Sequence, residues 1–114
     1  MVYELTPDGD AALETWLASD REPVYELRDE GMLKLFFSDL AEPAQRLENI
    51  RAMRERMERK LAQLRELQSK SADMRAGPAL TLNLGITSTE CFIQWCEATE
   101  RELRASDGDH GGNA

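Results

Sequence analysis

The sequence holds a single histidine, His110, within the Gly- and Asp-rich stretch ASDGDHGGNA at the end of the chain. Cysteine is nearly as scarce, with only Cys91 and Cys96. Five residues apart on a helix, these two point about 140° away from each other, which argues against a disulfide between them and against a shared metal ion. Buried, inert thiols in a reduced, cytoplasmic setting are the expectation. There is no Cys/His or Ser/His pair, no glycine loop to cradle phosphate and no metal-spaced cluster. An enzyme is therefore not expected, and neither catalytic residues nor cofactors are assigned. No apolar run approaches the roughly 20 residues of a membrane span, and no signal peptide opens the sequence, so neither a membrane nor export is expected.

What the chain has in quantity is charge. Charged residues make up 32% and hydrophobic residues 41% of 114 positions, a balance that suits exposed helices better than a sheet sandwich, within one domain. The net charge of −8 argues against nucleic acid or an anionic membrane as partner of the whole surface. Its distribution is uneven: residues 1–42 carry 3 basic and 11 acidic side chains, whereas residues 43–76 carry 9 and 5. Arg51, Arg54, Arg56, Arg59 and Lys60 could grip phosphate. Glu48, Glu55 and Glu58 are interleaved at helical spacing, however, and favour a solvated, self-paired face.

The most regular stretch runs from Pro43 to Arg75. Leu47, Ile50, Met53, Met57, Leu61, Leu64 and Leu67 recur at steps of three and four and fall within an arc of about 160°. Pro43 suits a first helical position, and Gly77-Pro78 marks the stop. Such a helix is roughly 50 Å long, against a diameter near 35 Å for a compact chain of this length. A second copy is the simplest cover for its apolar stripe, which makes a homodimer the expected assembly. Arg54 and Lys60 interrupt the stripe, so it should pack on more than one neighbour and not as a strict two-stranded coiled coil.

Around it, Val2-Tyr3-Glu4-Leu5 alternates like the end of a strand. Thr6-Pro7-Asp8 then opens a first helix over 6–19, with Ala12, Leu13, Trp16 and Leu17 as its buried face. After a loop at 21–26, a second helix over 28–40 carries Met32, Leu33, Phe36, Phe37 and Leu40 and should fill the core under the first. Gly31 is a weak spot in it, costing about 1 kcal/mol against alanine. Leu80, Leu82, Leu84 and Ile86 alternate with polar or small residues. Pattern alone leaves strand and helix equally open for 79–89. A helix over 79–104 would bury leucines nearly all round its first half, acceptable only if wedged between other helices with Gly85 permitting close approach. The first and second helices should pack on this fourth one. Residues 105–114 should be disordered, which removes His110 as ligand or catalyst.

Three signatures in order resemble the C-terminal domain of PadR-type transcriptional regulators. Tyr3-Glu4-Leu5-Thr6-Pro7-Asp8-Gly9, followed by Leu13, Trp16 and Leu17, is similar to the junction between the last wing strand of a winged helix-turn-helix and the next helix. Arg28-Asp29-Glu30 with Lys34-Leu35-Phe36-Phe37 is similar to that family's RDE-x-x-x-K-L-F-F helix. The long Leu/Arg/Glu helix, then Gly85 and Trp95, completes the resemblance over 3–103. It implies an all-α fold of about four helices, with 79–89 helical and one long antiparallel-packing helix forming a dimer interface. That interface would take in Leu47, Ile50, Met53, Met57, Leu61, Leu64, Leu67, Ile86, Ile93 and Trp95. Residues 1–5 would be the remnant of a wing strand, 6–104 the helical dimerisation domain and 105–114 a tail. Gly31 departs from the family's bulky apolar residue at that position.

The resemblance implies a dimerisation and regulatory module lacking its own DNA-reading head, so that DNA would be met only through a missing N-terminal winged helix. The alternative is a free-standing helical interaction protein that pairs with an intact regulator. In either case helices meeting at a dimer centre can leave a pocket for a small-molecule effector, with aromatics such as Trp95 in its lining.

Overall fold

The computed structural model describes residues 4–21 and 29–112, with side chains as far as Ser106. Four α-helices follow one another, with no strand among the described residues: α1 (Pro7–Ala18), α2 (Glu30–Phe36), α3 (Pro43–Ser69) and α4 (Ala76–Gly112), with a single 3-10 turn over Ser38–Leu40. The expected all-α class is the observed one. Val2 and Tyr3 of the expected wing strand, and most of the loop after α1, lie outside the described residues.

The first helix begins as its sequence dictates. Thr6 is extended, its hydroxyl accepts the Gly9 N–H at 3.0 Å, and Pro7 takes the first turn. Asp29 caps α2 in the same way, accepting from Gly31 N–H at 2.9 Å and Met32 N–H at 3.3 Å. Pro43 opens α3, after an extended Glu42.

The helix expected over 43–75 ends earlier, at Ser69. Two hydroxyls close it: Ser69 Oγ donates to the Glu66 carbonyl and Ser71 Oγ to the Gln68 carbonyl, both at 2.7 Å. They occupy carbonyls that the last turn leaves without intrahelical partners. A short turn follows, and Gly77-Pro78 then sits in the first turn of α4 instead of beyond the end of α3. A proline there forfeits only an N–H that has no intrahelical acceptor, so the pair starts a helix where a stop was expected. Residues 79–89 are helical, and α4 runs on to Gly112, into the tail expected to be disordered.

Helices α3 and α4 form an antiparallel hairpin. Arg54 reaches Glu100, Arg65 reaches Glu90, and Leu64 lies over Gly85, so that contacts descend α4 as they climb α3. From α4 the seam is made by Leu82, Ile86, Thr89, Ile93, Cys96, Glu100 and Leu103, spaced alternately four and three residues apart as in a coiled coil. Ile50, Met53 and Cys96 are its centre, with Leu35, Phe92 and Leu103 packed around them. The buried Thr89 hydroxyl is satisfied by the Gly85 carbonyl at 2.6 Å.

Two packing expectations are corrected. The second helix packs mainly on α3, and Met32, Leu33, Phe36, Phe37 and Leu40 are exposed. No residue of α1 is buried, and Trp16 is 68% exposed. The broadest apolar faces of α3 and α4 are turned onto each other and are not available to α1. Gly85 also differs from expectation. A β-carbon there would meet Leu64 Cδ1 at 3.7 Å, an ordinary contact, so the close approach of the helices does not require a glycine. Gly85→Ala should raise stability by about 0.5–1 kcal/mol through helix propensity, measurable as a higher thermal midpoint.

Candidate interaction surface

Helix α4 is apolar on two opposite sides. One side is the seam with α3. At 100° per residue, Leu80, Leu84, Cys91, Trp95 and Ala98 fall within an arc of about 60° diametrically opposite that seam. Leu80 is 72% exposed, Leu84 67% and Trp95 43%, and Cys91 is exposed beside them. Between Ala76 and Ala98 the only charged residues are Glu90 and Glu97, and both lie off this second face. Trp95 is braced by Phe92, with ring centroids 6.3 Å apart. The exposed aromatic and aliphatic side chains of α2 and α1 add to the uncovered apolar surface.

The residues assigned to a dimer interface from sequence divide into three groups. Ile50, Met53, Ile86 and Ile93 are buried within the chain's own α3–α4 seam. Leu47, Met57, Leu61 and Leu64 are half-buried. Leu67 and Trp95 are exposed. Leu80 and Leu84 were absent from that assignment, although four leucines and isoleucines on alternate positions at 80–86 signal a helix covered on more than one side.

The seam also holds an ion pair that periodicity did not reveal. The Arg54 guanidinium donates from Nε to Glu100 Oε2 at 2.6 Å and from Nη2 to Oε1 at 3.2 Å. Its Nη1 donates to Glu58 at 2.8 Å. The Glu100 side chain is 4% exposed and that of Arg54 22%. The hydrogen bonds from Arg54 to Glu100, then to Glu58, raise the guanidinium pKa above its ordinary value. Beyond it, Arg51 pairs with Glu48 and Glu55 within α3, as the spacing implied, whereas Arg65 reaches across to Glu90 of α4. The two thiols differ: Cys96 is buried, and burial pushes its pKa up, whereas Cys91 is exposed, against the expectation that both are buried.

Concavities are small or open. Asp29, Gly31, Met53, Arg56, Met57 and Phe92 line a cavity of about 80 Å³, well below the roughly 300 Å³ at which ligand pockets begin. A groove of about 400 Å³ along α2 is lined by Asp29, Met32, Leu33, Leu35 and Phe36, and its only charged group is a carboxylate. No cluster of His, Cys, Asp and Glu among the described residues could hold a metal ion, and none of the helices is long and apolar enough to cross a membrane.

Solved structures share this arrangement. A PadR-like transcriptional regulator from Bacillus cereus matches with a TM-score of 0.77 at 20% identity, over 90% of this chain and 62% of that one. Bacillus subtilis PadR in complex with operator DNA matches with a TM-score of 0.76 at 20% identity, over 87% of this chain and 59% of that one. The same protein in complex with p-coumaric acid gives 0.77 at 22% identity, over 87% and 65%. The chain thus spans about three fifths of the length of these regulators. No sequence match is found among curated proteins. The family model described as virulence activator alpha C-term matches residues 27–104, which take in α2 and most of the α3–α4 hairpin, and to that family the chain belongs.

Proposed function

We propose that this chain is the dimerisation and regulatory module of a PadR-like transcriptional regulator, acting by pairing two copies and not by catalysis, with DNA reading located outside it. One observation carries the reading: α4 presents a second, uncharged apolar face to water, which is unusual for a monomer and expected of an interface. The family match over 27–104 and the PadR-like fold support it, as does a coverage of about three fifths of those regulators. The p-coumaric acid bound by the Bacillus subtilis protein suggests an effector role for such modules. Among the described residues, the cavity beside Met53 is too small for an aromatic acid and the α2 groove bears Asp29, whereas an open groove of about 550 Å³ along α1 carries Trp16 and Arg21 in its lining.

The test is sedimentation equilibrium together with DNA titration. The 114-residue chain should be a dimer at tens of micromolar; a monomer there would overturn the reading. It should show no submicromolar, salt-sensitive DNA binding by fluorescence anisotropy, because its net charge of −8 opposes phosphate attraction. Tight, salt-sensitive binding would place DNA recognition within this chain and refute the proposed division of labour.

A further inference from the structure

We infer that the small cavity between α2, α3 and α4 is a binding site for a zwitterionic amino acid with a short aliphatic side chain. Its lining comes from three helices: Asp29 and Gly31 at the start of α2, Met53, Arg56 and Met57 on α3, and Phe92 on α4. All six belong to one chain, so the site stands apart from the pairing of copies. The floor is apolar and adaptable. Met53 is buried, Met57 and Phe92 are half-buried, and methionine side chains adjust to ligands of varied outline. The volume of about 80 Å³ is roughly half that of a cavity that admits benzene, which sets the apolar part of a ligand at about three carbons. Asp29 and Arg56 are exposed, so their charges stand on the solvent side, where the polar end of a ligand would remain.

The charges decide the class of ligand. A β-carbon placed on Gly31 would meet Asp29 Oδ1 at 3.1 Å and Arg56 Nη2 at 3.9 Å, so two opposite charges flank the same gap. They do not pair across it: among the described residues Arg56 joins no ion pair, unlike Arg51, Arg54 and Arg65 on the same helix. Asp29 Oδ1 accepts the Gly31 and Met32 N–H groups, and its Oδ2 carries no hydrogen bond among the described residues. A bound amino acid completes both charges. Its carboxylate takes the Arg56 guanidinium, its ammonium donates to Asp29 Oδ2, and its side chain enters over Met53 and Met57. A simple acid would leave its carboxylate beside Asp29 unanswered, and a simple amine would face Arg56, so each is selected against. Gly31 makes the room, since a longer side chain there would project between Asp29, Met53 and Arg56 and fill the cavity.

The test is a titration of L-valine into the full chain, read by nuclear magnetic resonance of its methionine methyl groups. The Met53 and Met57 ε-methyl signals should shift saturably. Isovalerate and isobutylamine, which each lack one of the two charges of valine, should bind at least tenfold more weakly. Arg56→Gln alters an exposed side chain and should weaken L-valine at least tenfold while leaving the thermal midpoint in place. Gly31→Leu should abolish the shift, with circular dichroism verifying that its helices are kept. If they are not, Gly31→Ala, which adds one carbon to the cavity, should weaken L-valine in its place. No saturable shift with L-valine, or a shift that survives both the Arg56 and the Gly31 variants, would overturn the site. Isovalerate or isobutylamine binding as tightly as L-valine would overturn the zwitterionic class. Sedimentation is a separate readout, so a monomer that binds L-valine refutes the pairing and keeps this site.

Discussion

Replacing Arg54 by methionine should cost about 3 kcal/mol of folding stability, a drop of roughly 10–15 °C in thermal midpoint. The carboxylate of Glu100 is almost wholly withdrawn from water, and Arg54 supplies two of its hydrogen bonds across the seam. Arg104 cannot take over, since its nearest nitrogen stands 3.8 Å away on the exposed side of the same helix. What the variant pays is mainly the desolvation of an uncompensated charge. Arg54 keeps some contact with water, which places the loss at the low end of the range for buried pairs. The paired variant Arg54→Met with Glu100→Leu should recover most of it, because two apolar side chains of similar volume fit the same seam. Thermal denaturation of the three variants closes a double-mutant cycle. A loss in the double variant equal to the sum of the two single losses would mean that the pair is not coupled.

Ile50→Ala should have an effect of similar size for a different reason. Ile50 is 2% exposed and stands at the centre of the seam beside Met53 and Cys96. Removing its side chain deletes buried methyl and methylene groups and leaves a cavity between two rigid helices that cannot close over it, at a cost of about 3 kcal/mol. Leu67→Ala, on the same sequence stripe but exposed, should cost less than about 0.5 kcal/mol. Urea unfolding should show the midpoint shifting for the first and not for the second, with an unchanged slope. The contrast matters because periodicity alone gave the two residues the same role.

That pair shows what the sequence could and could not convey. Helix starts were legible because they are written in single residues: Thr6 with Pro7, Asp29, and Pro43 each fix a cap locally. Helix ends were less so, since Ser69 and Ser71 end α3 by hydroxyl bonds that no apolar period records. The helical state of 79–89 followed from resemblance and not from alternation, which leucine at every second position satisfies in either geometry. Periodicity reported that the α3 stripe is covered, but not which chain covers it; within this chain the seam with α4 fully buries only Ile50 and Met53 of it. Trp16 was misplaced for the same reason: an amphipathic helix implies a partner without saying that the partner is within reach. Glu100 was invisible as a seam residue because a charge breaks the apolar pattern, although its spacing from Cys96 and Leu103 fits it.

The dimensions of the hairpin have a mechanical consequence. The molecule extends 71 Å along its longest axis, and α4 alone accounts for about 55 Å of continuous helix. Glu100, held by Arg54 beside the Ile50–Cys96 core, lies 24 residues or about 36 Å from the start of α4 at Ala76. Tilting the helix by about 5° about Glu100 carries its Ala76 end through about 3 Å, roughly half a helical pitch. A small tilt at the α1–α2 end would therefore arrive at the α3–α4 turn as a displacement of about 3 Å. The shape converts angle into distance, with the ion pair as fulcrum.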